Sequence, residues 1–441
     1  MKDKIFGVFL CASLLLVNIL HAETKSVDGY TLRLKAAKDG AVYSVGDTAE
    51  FVFTSIKGGK PENIEIEGDI TKDGLQPPLE KFEGKTVDGT FSTVRKLAEP
   101  GVLRCRVLAK LPGGKKVELL AGAAFDPKKI APSMEIPKDC SKYWSDQRKI
   151  LDGIALNAEM KPVKCGKPNV ELFDIKADSF NGFLRGYYAR PKGAKPKSCP
   201  AIILPHGAGV RSSRIAGAIK WAEKGFIALD FNAHGIENGK PKEFYDNLSK
   251  TSLKGYPHFG KKSRDTSFFR TLFMRDMRAM DFMMAQPEWD GKIFVTYGTS
   301  QGGGQSIASA ALNPKVTFCV AFVPAMCDHS ALSVGRMHGW PRLAPSKDDP
   351  DYNAIVEAAR YMDAMNFASL VKCDTYFNVD LADDVCAPTS CFAAFNNIKG
   401  RKHVNVVEES RHRVPSDAYF KGDEAVMNHI RQMRAEKPKE N

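Results

Sequence analysis

Gly298-Thr299-Ser300-Gln301-Gly302-Gly303-Gly304 is the stretch on which the reading of this chain turns. Residues 292–297, Lys-Ile-Phe-Val-Thr-Tyr, lie just before it. That apolar, β-branched and aromatic run reads as a buried strand. Residues 305–312 follow it and are small and helix-compatible. A G-x-S-x-G turn between a strand and a helix is the setting of a nucleophile elbow. The turn is sharp enough to strain the serine backbone, and its glycines let strand and helix approach closely. The hydroxyl then stands above the sheet, with the Gln301 N–H opening the helix beside it. A glycine-rich turn carrying an idle serine is the alternative, and the flanking elements argue against it.

A serine hydroxyl is a poor nucleophile until a neighbouring base takes its proton. On this scaffold the partners follow in the order nucleophile, acid, histidine. A strand expected at 375–379 runs into Leu381-Ala382-Asp383-Asp384-Val385-Cys386. The last strand, at 404–407, runs into Glu408-Glu409-Ser410-Arg411-His412. Ser300 is therefore expected as nucleophile, His412 as general base and then acid, and Asp383 as the carboxylate that orients His412. Asp384 and Asp380 are rivals for that last role. His403 opens its strand rather than following it and reads as structural. His206 and His234 follow strands near the same face and read as scaffold or pocket lining. The tetrahedral intermediate needs two N–H donors. Gln301 supplies one. Ala208, in His206-Gly207-Ala208-Gly209 after the strand 200–204, is the candidate for the other.

The rest of the chain fits this centre. Residues 26–125 alternate in short runs such as Tyr30-Thr31-Leu32-Arg33-Leu34, punctuated by Lys57-Gly58-Gly59 and Pro112-Gly113-Gly114. They predict an immunoglobulin-like β-sandwich over 23–128, a brace rather than a carbohydrate-binding module. Residues 126–132 read as a linker. Strands and helices then alternate, which predicts an α/β-hydrolase domain over 129–436 with a mostly parallel sheet flanked by helices. Residues 236–267 read as irregular, a lid or pocket wall. Residues 268–284 read as a core helix with Phe273, Met277, Met280 and Phe282 on its apolar stripe, and 352–370 as one helix. Ser416 is expected to cap a closing helix over 417–433, and 437–441 to be a disordered tail.

Lys2 and Lys4 precede an apolar run that ends at His21-Ala22, the pattern of a signal peptide over 1–22. Export to the periplasm or medium is the expectation. Cys11 lies inside that run, and nine cysteines follow it, so at least one is unpaired. No metal spacing is visible. The net charge is +12, but the lysines are scattered and no basic helix is interleaved with aromatics. That pattern argues against nucleic acid and for a solvated surface.

Several motifs in order resemble the acetyl xylan esterase and cephalosporin-C deacetylase family. They are the elbow itself, Arg278-Ala279-Met280-Asp281-Phe282, Gln286-Pro287-Glu288-Trp289-Asp290-Gly291, Ala325-Met326-Cys327-Asp328, Gly339-Trp340-Pro341 and the stretch from Leu381 to Pro388. The resemblance spans roughly 143–429 and leaves out the β-sandwich. It implies a serine esterase that removes acetyl groups from sugars with no metal or organic cofactor. It assigns catalysis to Ser300, Asp383 and His412 and the oxyanion N–H groups to Gln301 and Ala208. It also implies a ring-shaped hexamer, so a homo-oligomer is expected. Three positions depart from the family pattern. Ala208 stands where a tyrosine is usual, Asn232-Ala233-His234-Gly235 where Arg-Gly-Gln-Gly is usual, and Arg413 where a glutamate is usual. The expectation is an exported carbohydrate esterase acting on acetylated xylan fragments or another acetylated glycan. A hydrolase for another acyl or peptide substrate, and a non-catalytic glycan-binding protein, are the alternatives.

Overall fold

The computed structural model describes residues 23–344, 346–408 and 410–435. The signal peptide and the tail expected at the two ends lie outside them. Alternation along the first hundred described residues produces two β-sheets. One pairs Glu23–Val27, Tyr30–Ala36, Ala49–Lys57 and Lys60–Pro61, with Thr90–Arg95 also on Ala49–Lys57. The other runs Val42–Tyr43, Lys116–Phe125, Gly101–Lys110, Glu65–Lys72 and Glu80–Lys85. All pairings are antiparallel except that of Val42–Tyr43 with Lys116–Phe125. Period-2 burial is plain in Tyr30–Ala36, where Tyr30, Leu32, Leu34 and Ala36 point inward.

The remainder builds one nine-stranded sheet in the order Glu159–Val163, Val170–Ser179, Gly182–Pro191, Ile227–Phe231, Cys199–Pro205, Trp289–Thr299, Phe318–Phe322, Asp374–Asp380 and Lys402–Val407. The first three are antiparallel additions, and from Ile227–Phe231 onward all pairs are parallel. Central strands such as Cys199–Pro205 and Phe318–Phe322 are buried throughout, as helices on both faces require. The chain leaves Cys199–Pro205 for the neighbour on one side, then returns to Trp289–Thr299 on the other. Its winding therefore reverses between these two strands. A crevice opens there at their carboxyl ends.

Helix Phe268–Met284 has the bounds its periodicity predicts, and Phe273, Met277, Met280 and Phe282 are all buried. Each contributes about 1.5–3 kcal/mol of transfer free energy. Two expectations need correction. Residues 352–370 form two helices, Tyr352–Ala359 and Ala364–Ala368, because Asp363 leaves helical geometry and caps the second through the Met365 N–H. Residues 236–267 are not irregular throughout, since they carry helix Lys242–Lys250 and a single turn at Tyr256–His258.

Candidate active site

The elbow strand Trp289–Thr299 hands directly to helix Gln301–Leu312, with Ser300 between them at φ +60° and ψ −124°. Such angles persist only where the surroundings over-determine them. Here the Ser300 N–H donates to the Phe322 carbonyl (2.9 Å), and its carbonyl accepts from Ala325 (2.9 Å) and Gly304 (3.1 Å). A β-carbon on Gly298 would overlap the Gly302 carbonyl, and one on Gly302 would overlap the Pro205 carbonyl. Glycine is thus dictated at both positions by close backbone approach.

Two loops at the same sheet end carry the partners. His412 follows Lys402–Val407, and its Nε2 lies 2.8 Å from Ser300 Oγ. Its Nδ1 lies 2.8 Å from Asp383 Oδ2, in the loop after Asp374–Asp380. Asp383 is buried, and its other oxygen accepts the N–H groups of Val385 and Cys386 at 2.8 Å each. Both carboxylate oxygens are therefore satisfied and the carboxylate cannot swing. Burial lowers the His412 pKa, but the Asp383 bond and the charges of Asp383, Asp380 and Asp384 outweigh it and hold the group above its ordinary 6.5. The rivals are turned elsewhere. Asp380 accepts from Asn378 Nδ2 (2.6 Å), and burial lifts its pKa to about 7. Asp384 reaches Arg411 at 3.9 Å.

The loop after Cys199–Pro205 faces Ser300 across the switch point. Ala208 and Ser300 both line a cleft of about 690 Å³, together with His412, Trp340 and Val385. Among the described residues neither the Ala208 nor the Gln301 backbone N–H has a backbone or side-chain acceptor. Gln301 is buried and Ala208 partly so, and N–H groups left open in a cleft shared with a serine hydroxyl can receive a developing oxyanion.

His206 and His234 are scaffold. His206 Nε2 lies 2.5 Å from Asp230 Oδ1. His234 is buried to a pKa of about 4, and its Nε2 donates weakly to the Gly209 carbonyl at 3.3 Å. His403 opens the last strand and stacks on Tyr376. Tyr256 was not singled out from sequence as a site residue. Its hydroxyl accepts the Gly209 N–H and donates to Gln301 Oε1, both at 3.0 Å, tying the two donor loops together. Aromatic residues scattered through 236–267 were the only trace of it. None of residues 236–267 lines the cleft. Tyr256 supports the Gly207–Gly209 turn from outside the cleft, so the stretch is not a wall of it.

Asp383, Cys386 and His412 bring metal-ligating donor types within 4.8 Å of one another. The fit to an ion is poor. Asp383 and His412 already satisfy each other, and burial drives the Cys386 thiol well above its usual range, away from the thiolate a metal needs. All nine cysteines of the described chain are free thiols.

The acetyl xylan esterase (AXE1) family model matches residues 126–427. The acetyl esterase Axe7A of Xylanibacter ruminicola is 26% identical over 394 residues, which cover 86% of either chain. The acetyl xylan esterase from Paenibacillus sp. R4 superposes with a TM-score of 0.60 at 22% identity, covering 69% of this chain and 98% of that one. Acetyl xylan esterase 1 from Thermoanaerobacterium sp. JW/SL YS485 gives 0.56 at 23% identity, covering 70% and 97%. At those identities the two structures speak for the α/β-hydrolase fold of the nine-stranded region.

Proposed function

This chain belongs to the acetyl xylan esterase family and is a carboxylic ester hydrolase, and from that premise we propose that it is an exported serine esterase removing O-acetyl groups from xylan-derived or other acetylated oligosaccharides. The observation that carries the serine mechanism is the unbroken relay Ser300 Oγ, His412 Nε2, His412 Nδ1 and Asp383 Oδ2, with both links at 2.8 Å.

His412 takes the Ser300 proton as Oγ attacks the acetyl carbonyl. The carbonyl oxygen becomes an oxyanion, received by the N–H groups of Gln301 and Ala208. Collapse expels the sugar hydroxyl, which takes its proton from His412, and leaves an acetyl-enzyme on Ser300. Water, deprotonated by His412, then releases acetate by the same steps. Asp383 holds the imidazole in the tautomer that keeps Nε2 free to accept. No metal or organic cofactor enters this sequence. Export rests on the leader-like residues 1–22. Among the described residues no helix is long and apolar enough to cross a membrane.

The test is acetate release from acetylated xylo-oligosaccharides by the wild type and by Ser300→Ala. Release is expected from the wild type alone. Turnover that survives in Ser300→Ala removes the serine mechanism. Ser300-dependent cleavage of a small aryl acetate, with no release from xylan fragments, keeps the esterase and discards that substrate.

A further inference from the structure

The cleft beside Ser300 carries more positive charge than the relay uses. Arg211, Arg214 and Lys220 all line it, and among the described residues Asp230 is its only acidic lining residue. Two of these groups are already committed. Lys220 pairs with Asp423 at 2.6 Å. Asp230 Oδ1 is taken by His206 (2.5 Å) and by the Arg214 backbone N–H (2.8 Å). Among the described residues neither Arg211 nor Arg214 forms an ion pair.

Arg211 is the more telling of the two. It is partly buried, and it spends one donor, Nη2, on the Gly207 carbonyl at 3.1 Å. Its Nε is buried without an acceptor. A buried guanidinium is ordinarily matched by a carboxylate, because desolvation is costly and its planar fork suits two oxygens at once. Here that partner is missing, and the fork lies beside the nucleophile. A methyl placed on Gly207 would sit 3.4 Å from Arg211 Nη2 and 3.8 Å from Ser300 Cβ.

We propose that Arg211, flanked by Arg214, is an anion subsite of the cleft that receives a carboxylate on the substrate, a uronic acid unit next to the acetylated sugar. The inference rests on the esterase reading above and narrows its substrate to acidic acetylated oligosaccharides. Charge-assisted bidentate bonds are the strong ones, and in a cleft this size they bring orientation as well as affinity. A neutral sugar chain leaves the fork unmatched and loses that contribution. The carboxylate of released acetate has the same chemistry and is the competing occupant.

The experiment compares kcat/KM on acetylated xylo-oligosaccharides with and without a glucuronic acid branch, for the wild type, Arg211→Gln, Arg211→Lys and Arg214→Gln. The wild type is expected to favour the acidic substrate by about tenfold or more at low salt, shrinking as sodium chloride screens the charge. The ratio should fall towards one in Arg211→Gln, be partly kept in Arg211→Lys, and be reduced in Arg214→Gln. Equal kcat/KM in the wild type overturns the proposal. So does an equal loss on both substrates in Arg211→Gln, which would make Arg211 only a clamp on the Gly207 turn. Competitive inhibition by acetate, lost in Arg211→Gln while the two substrates are turned over equally, would assign the subsite to product and also overturn it. Binding of the two oligosaccharides to Ser300→Ala is measured in parallel by calorimetry. A stronger affinity for the acidic one sustains the subsite even if turnover of both is absent and the esterase reading has failed. Arg211→Lys and Arg214→Gln decide the matter if Arg211→Gln does not fold.

Discussion

Asp380, Asp383 and Asp384 lie within five positions at the carboxyl end of one strand, and position alone does not choose among them. Backbone donors set which of them meets His412. The N–H groups of Val385 and Cys386 seize one oxygen of Asp383 and turn the other to His412. Asp383→Asn should keep that geometry but present an amide N–H or a wrong tautomer to the imidazole. A fall of ~10⁴-fold in kcat is expected by analogy with serine proteases. Asp384→Asn should stay within about threefold, since its partner is Arg411 at 3.9 Å, a weak surface-type pair. Equal sensitivity of the two would reassign the acid. The raised pKa of His412 gives a second expectation. The imidazole must be neutral to accept the Ser300 proton, so kcat/KM falls as pH drops through that pKa. The acid limb should therefore have its midpoint above 6.5, and Asp383→Asn should move it to lower pH by removing the charge that raises it. A wild-type midpoint below 6.5 in the free enzyme would contradict this.

Elements whose burial has one period were legible, and elements set by a remote contact were not. Phe268–Met284 and the buried strands announce themselves because apolar periodicity and secondary structure coincide. The break at 360–363 escapes such reading, because Asp363 is held by the N–H groups of Asp328 and His329, some thirty-five positions away. The turn at Tyr256–His258 escapes it too, since its role depends on where Gly209 and Gln301 come to lie. That role makes a prediction at the same scale. Tyr256→Phe removes the hydroxyl that joins the Gly209 turn to the Gln301 helix and leaves the buried Gln301 Oε1 and the part-buried Gly209 N–H unmatched. Losing a direct oxyanion donor costs about 10²–10³ in kcat. An indirect brace should cost less, about tenfold, with KM nearly unchanged. A fall confined to KM would place Tyr256 in substrate binding instead.

At the scale of the whole molecule, the β-sheets of the first hundred residues reach the loop that carries His412. Glu118, on Lys116–Phe125, meets Arg411 at 2.5 Å, and Glu23 approaches the same guanidinium at 3.5 Å. Glu408, at the other end of that loop, accepts the Gly40 N–H. Thr389 donates to the buried Asp73 at 2.8 Å, and Gly122 packs against the Leu381 backbone beside the acid loop. The alternating pattern predicts the strands but not these contacts, because partners separated by about three hundred residues leave no periodic trace. The prediction that follows from these contacts is a catalytic one. Glu118 and Arg411 are half-exposed, so the pair adds only about 0.5–1 kcal/mol to stability. Its weight lies in position, since Arg411 is covalently next to His412 and a misplacement of about 1 Å can cost ~10²-fold in rate. Glu118→Lys should therefore lower kcat by about tenfold or more and slow phosphonylation of Ser300 by a fluorophosphonate in proportion, with Tm nearly unchanged. Pairing it with Arg411→Glu should restore much of both rates. A merely structural pair would lower Tm and leave Ser300 reactivity per folded molecule intact, and that outcome would confine the sheets to support.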